Sequence, residues 1–199
     1  SAIGAYRWTA HVHGRSSHAG VHPEDGISAV VILARAIEQV VDRGFFGKVV
    51  KGRQSGTSNV GSVGGGESSN QVTDYVEVKG ECRSHNRAFL DRILAAYRTA
   101  FEEAAGSVIN AAGKAGRVVF KASHDYDSFS LARNSPVTVF AMKAARAAGF
   151  KPLCKRVDGG LDANYFNRKG IPSITFGAGQ HHAHTVDEYC DIGEYLGGC

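Results

Sequence analysis

Apolar and polar residues alternate from Tyr6 to Gly14, the period of a strand with one buried face. A polar stretch rich in breakers, Gly14 to Pro23, follows and reads as a loop. From Ile27 the apolar positions recur at helical spacing through Val30, Val31, Ala34, Ile37 and Val41, with Arg35, Glu38 and Asp42 on the opposite face. Thr57 to Val63 reads as a strand, and the run Gly64 to Gly66 turns it toward a second, Val72 to Arg83. A second amphipathic helix then carries Phe89, Leu90, Ile93, Leu94, Tyr97 and Phe101 on one stripe, and Arg117 to Ser123 is a fourth strand. The order strand, helix, strand, strand, helix, strand is the split βαβ pattern of a ferredoxin-like domain.

The remaining residues have a different rhythm. Asp125 to Arg133 leads away from the first domain, and Ser135 with Pro136 predicts the N-cap and first turn of a helix that Gly149 ends. Leu153 to Val157 is expected as a strand, followed by the pair Gly159 and Gly160. Asp162 is expected to cap a short helix over Ala163 to Asn167, ended by Gly170. Beyond Pro172 the run Ser173 to Phe176 predicts another strand, and Gly177 and Gly179 open a loop that holds His181, His182 and His184. Helix, strand, helix, strand is half of an α/β sheet. The domain boundaries are therefore set at 5–123 and 124–199.

A histidine on a loop just beyond a strand sits where open α/β sheets place ligands. Neutral imidazole is a common zinc ligand, and Asp187 or Glu188 could orient its ring. One histidine does not make a zinc site, since structural sites want four protein ligands and catalytic ones about three; three solvated loop histidines are the plain alternative. His11 and His13 share a strand face, a second candidate metal pair, although His13 also suits the end of a polar strand. Glu102 and Glu103 fall late in a helix and read as a solvated face.

Composition narrows the classes. At 199 residues the chain can form one or two compact units, and its net charge of +4 is spread without the clustered Lys and Arg of a nucleic-acid binder. The longest apolar stretch, Ile27 to Ala34, is too short to span a bilayer, and no secretory signal is visible. Gly61 to Gly66 lacks the GxGxxG pattern of a phosphate loop. The four cysteines, Cys82, Cys154, Cys190 and Cys199, have no Cys-x-x-Cys spacing, so free thiols in a reducing cytoplasm are expected.

Several segments together carry a resemblance. Asp158-Gly-Gly-Leu-Asp162-Ala, then Gly170-Ile-Pro, then Phe176-Gly-Ala-Gly179 and His184-Thr-Val-Asp-Glu188, resemble the C-terminal catalytic half of the di-zinc exopeptidase and deacylase superfamily. Gly14-Arg-Ser-Ser-His18-Ala-Gly20 with Pro23 and Gly26, Thr57-Ser-Asn-Val-Gly61 through Gly65 with Asn70-Gln-Val72, and Glu81-Cys-Arg83-Ser-His85 resemble, in order, the lid or dimerisation domain of the same superfamily. The Arg-Ser-His form looks closest to peptidase-T-like members, and the likeness covers roughly Tyr6 to Ile192. It implies a role for each matching residue. His184 would be a zinc ligand, and Asp162 would hold the loop beside the site. His18 would enter the active site of the partner subunit, Asn70 would help bind the reacting carbonyl, and Arg83 would contact a substrate carboxylate.

The resemblance also implies two zinc ions per site, a homodimer through the lid, and hydrolysis of short peptides at a terminal residue. Deacylation of N-acyl amino acids and a non-catalytic dimerisation module are the alternatives. The family's first catalytic half carries a His-x-Asp motif, a bridging aspartate and a Glu-Glu pair, and none of these precedes Tyr6. The chain is thus expected to be a fragment, inactive alone, and it stops soon after His184 where the family has another helix.

Overall fold

The computed structural model describes residues 1–177 and 179–198. Ala178, within the Phe176 to Gly179 motif, and Cys199, one of the expected thiols, lie outside the described residues. The chain forms two compact units, 1–130 with 155–160, and 131–154 with 161–199.

In the first unit, β1 (Gly4–His13), β2 (Gly47–Lys51), β3 (Gln54–Gly65), β4 (Tyr75–Ser84) and β5 (Arg117–Tyr126) form an antiparallel sheet of order β2-β3-β4-β1-β5. The order of β3, β4, β1 and β5 is the expected ferredoxin-like one. The helices are α1 (Ala29–Asp42) and α2 (Arg87–Ser107). Each begins on a side-chain cap: Ser28 Oγ accepts from the Val31 N–H at 3.3 Å, and Asn86 Oδ1 from the Phe89 N–H at 2.9 Å. α1 buries Ala29, Ile32, Ala36 and Val40, a stripe of helical period, and α2 buries Phe89, Leu90, Ile93, Tyr97 and Phe101. Both pack on one sheet face against Trp8, Ala10, Val12, Val76, Val78 and Cys82. The opposite face carries Arg7, His11, Glu77, Lys79, Glu81 and Arg83, because side chains alternate along each strand.

β2 is absent from the sequence reading. Its signal is short, Lys48-Val49-Val50-Lys51, with Gly52 (φ 62°) opening a two-residue hairpin turn into β3. The helix expected from Ile27 begins two residues later, because Ile27 exchanges backbone hydrogen bonds with Arg15, both at 2.9 Å. Residues 72–74 lie outside β4 and belong to a loop.

One buried polar cluster ties the layers together. Ser58 Oγ of β3 donates to the Phe45 carbonyl at 2.5 Å and meets the Tyr97 hydroxyl of α2 at 3.0 Å. Burial pushes the Tyr97 phenol and the Cys82 thiol up, each to about 12.

The second unit holds α3 (Pro136–Ala147), α4 (Asp162–Arg168), the two-residue pair β6 (Gln180–His181) and β7 (Tyr189–Cys190), and α5 (Ile192–Gly198), a helix the sequence reading did not include. Two expectations are corrected. Leu153 to Val157 and Ser173 to Phe176 form no ladder apart from a single bridge at Val157. A strand exists only by pairing, and among the described residues the first segment pairs only through Val157 with Ala2 and the second not at all. Asp162 is not the cap of α4; it is the first helical residue, and the Leu161 N–H is taken by Asn164 Oδ1 at 2.9 Å. The unit leaves large apolar side chains in solvent, among them Phe140 and Leu153 at 75% exposed and Ile192 at 71%.

Candidate functional site

The loop between β1 and α1 lies against the segment between β3 and β4. Gly14 N–H donates to the Asp74 carbonyl at 2.7 Å, Val72 N–H to Ser17 at 2.9 Å and Ala19 N–H to Asn70 at 2.9 Å. His18 and Gln71 face each other in an isolated antiparallel bridge, and Gln71 Nε2 donates to Ser16 Oγ at 2.9 Å. Two glycines permit this approach. A Cβ on Gly14 would lie 1.9 Å from the Ile27 carbonyl oxygen, and one on Gly26 would lie 2.5 Å from Ser17 Oγ. The fold therefore sets the two loop motifs that carry His18 and Asn70 side by side. His18 Nδ1 accepts from the Gly20 N–H at 3.1 Å, and Asn70 Oδ1 accepts from Ser68 Oγ at 2.5 Å.

Arg83, near the end of β4, is already paired. Its Nε and Nη2 donate to the two carboxylate oxygens of Glu81, both at 2.9 Å, and Nη1 reaches the Asp158 carbonyl at 3.4 Å. That pairing raises the guanidinium pKa further. The fork expected to hold a substrate carboxylate is filled by the chain's own. Beside it, His85 Nε2 meets Asp158 Oδ1 at 2.8 Å, and Gly160 approaches Tyr126 so closely that a Cβ would lie 2.3 Å from its ring. The Asp-Gly-Gly motif is thus pinned to the end of β4. Sequence reasoning missed Ser68, Glu81, His85 and Asp158 as partners. For Glu81 a signal existed, since residues two apart on a strand share a face.

In the second unit, Asp162 stands in the first turn of α4, where a carboxylate suits the helix dipole. His184 lies on the turn between β6 and β7 with φ 64°, and His182 has φ 52°. Glu188 does not orient the His184 ring. Its carboxylate accepts from the His184 backbone N–H at 2.8 Å and from Gln180 Nε2 at 2.6 Å, which lowers its pKa and fixes the turn. His181 stacks on Tyr189 and pairs with Glu194 at 2.8 Å. Among the described residues no group of three or more His, Cys, Asp or Glu side chains could hold a metal ion. His11 Nδ1 instead meets the Tyr75 hydroxyl at 2.8 Å, and the His13 ring packs against Tyr75. Among the described residues His184 is thus a single candidate ligand, and they do not by themselves make a zinc site.

A family model described as a peptidase dimerisation domain, of the M20 type, matches residues 2–109. The chain belongs to that family. The structure of aminopeptidase PepT from Bacillus cereus is 30% identical, with a TM-score of 0.77 over 98% of this chain and 49% of that one. A tripeptidase from Staphylococcus aureus is 28% identical, with a TM-score of 0.81 over the same shares, 98% and 49%. The uncharacterized protein YqjE of Bacillus subtilis is 33% identical over 94% of this chain and 47% of its own length. These matches bear out the resemblance to the di-zinc exopeptidase superfamily on its peptidase-T-like side, and with it the fold class. The chain spans about half the length of the relatives it matches. No helix among the described residues is long and apolar enough to cross a membrane.

Proposed function

We propose that the whole protein is a zinc-dependent exopeptidase that hydrolyses short peptides at a terminal residue, and that residues 5–123 are its dimerisation domain and 124–199 the C-terminal part of its catalytic domain. The observation that carries this reading is the docking of the His18 loop on the Asn70 segment, which holds two polar side chains of the right type on one glycine-dependent frame. The similarity to an aminopeptidase and a tripeptidase supports peptides over N-acyl amino acids as substrates.

In this reading His18 and Asn70, carried together on the docked loops of the partner subunit, stabilise the scissile carbonyl oxygen as charge develops on it. His184 is one zinc ligand, Asp162 supports its surroundings, and the other ligands come from outside this chain. Zinc, when bound, supplies an activated water. Arg83 takes a substrate carboxylate only by exchanging it for Glu81 at the same fork. The free thiols at Cys82 and Cys154 fit a cytoplasmic location.

Self-association follows from the kind of domain, and we assign it to the α1 and β2 side. Val30, Val41 and Val50 are each about half exposed there, an apolar surface suited to a two-fold contact. The apolar side chains left in solvent on the second unit fit a surface that the rest of a catalytic domain covers.

The test is the whole protein with zinc, assayed against tripeptides, dipeptides and N-acyl amino acids. His18→Ala should lower kcat by about a hundredfold, the scale of one lost oxyanion donor, with folding and zinc content unchanged. Mixed dimers of His18→Ala and His184→Ala subunits should recover part of the activity. No recovery from verified mixed dimers would refute action across the subunits.

A further inference from the structure

His18 and Asn70 share a property that neither motif shows alone. In each, the acceptor atom of the side chain receives a donor two residues away. The Gly20 backbone N–H donates to His18 Nδ1 at 3.1 Å. A backbone amide has only a proton to offer, so this ring nitrogen must be the acceptor, and the neutral imidazole carries its proton on Nε2. The Ser68 hydroxyl donates to Asn70 Oδ1 at 2.5 Å. The amide oxygen is thus the atom turned toward Ser68, and among the described residues the Nδ2 hydrogens meet no acceptor.

We propose that the Gly20 N–H and the Ser68 hydroxyl are orienting groups that turn the paired loops into a surface of hydrogen-bond donors, one that takes an oxygen atom carrying or developing negative charge. The two donor atoms it presents do not suit a metal ion or an ammonium group. Both require lone pairs, and a protonated Nε2 and an amide Nδ2 supply none. The loops are exposed, but the Ala19 and Val72 hydrogen bonds lock their backbones together, so the two side chains need only local bonds to hold their direction. Ser68 is a positioning residue that acts through Asn70. The identity of the oxygen, a scissile carbonyl, rests on the peptidase reading above; the orientation of the two side chains does not.

Long-range 1H–15N spectra of the labelled chain at about pH 8, where free imidazole is neutral, read the His18 tautomer. The expected state is a protonated Nε2 and a bare Nδ1. Gly20→Pro, which removes the N–H, should mix the tautomers, and Gly20→Ala, whose Cβ would lie 3.6 Å from the ring, should leave them unmixed. Ser68→Ala should shift and broaden the Asn70 amide pair, and Ser68→Thr should restore it. A protonated Nδ1 in the wild type, or an Asn70 amide indifferent to Ser68→Ala, overturns the proposal. In the whole protein Ser68→Ala should lower kcat about tenfold, the size of one hydrogen bond, with KM nearly unchanged. It should have no further effect once Asn70 is alanine, and additive effects would count against the positioning role. A whole protein that cleaves no peptide would remove the peptidase reading, while the spectra would still decide the orientation.

Discussion

Ser58→Ala is expected to destabilise the first unit more than its size suggests, and a second substitution should give part of that loss back. The hydroxyl donates to the Phe45 carbonyl and also meets the Tyr97 hydroxyl, in a residue only 4% exposed beside a Tyr97 with no exposure. Removing it strands two buried polar groups. Each stranded group costs about 1–3 kcal/mol, so a loss near 3 kcal/mol is expected once some local relaxation is allowed. Tyr97→Phe alone leaves Ser58 bonded to Phe45 and should cost about 1 kcal/mol or less. In Ser58→Ala/Tyr97→Phe only the Phe45 carbonyl is stranded, so the double variant should be about 1–2 kcal/mol more stable than Ser58→Ala. Urea unfolding followed by circular dichroism, with equal slopes for all variants, measures this. A double variant as unstable as the sum of the two singles would refute the idea that a shared buried hydrogen-bond cluster, and not Ser58 packing, holds β3 to α2.

Gly80→Ala should cost about 1–3 kcal/mol by overpacking, because the new Cβ would lie 2.2 Å from the Trp8 ring and 2.5 Å from the Asn59 carbonyl oxygen; unfolding midpoints check this. Stability should fall in alkali. Cys82 and Tyr97 move from ordinary values of 9.0 and 10.0 up to about 12 on folding, so their share of stability is full below pH 9 and is lost as pH rises toward 12. Cys82→Ala should flatten that decline between the two limits, and a pH series of urea midpoints that is identical for both proteins would remove Cys82 as a cause. The purified chain with added zinc should hydrolyse no tripeptide, since it offers one candidate ligand where a catalytic site needs about three; chelator-sensitive turnover by the chain alone would contradict this.

Periodicity exposed most of the first unit because its elements are long and bury one face each. The α1 and α2 stripes, the alternation of β1 and the order of elements were all readable from residue type alone. β2 escaped because the four residues between Gly47 and Gly52 carry too short a pattern, and its existence depends on β3 lying alongside. Leu153 to Val157 and Ser173 to Phe176 failed for the converse reason. Their composition suits strands, but a strand is a relation between two segments, and residue type does not supply the second. Asp162 was misplaced by one position because Asn164, three residues beyond the expected cap's predecessor, supplies the capping oxygen instead.

The sequence by itself determined the split βαβ order, the glycine-flanked loop around His18, the glycine pair before Asp162 and the family resemblance, all of which rest on spacing along the chain. Tertiary structure decided what those residues touch. It set the His18 loop on the Asn70 segment, filled the Arg83 fork with Glu81, fastened Asp158 to His85 and turned Glu188 toward a backbone amide and not an imidazole. Hydrogen bonds form between atoms within about 3 Å of one another whatever their separation in the chain, so local patterns could nominate these side chains but not pair them.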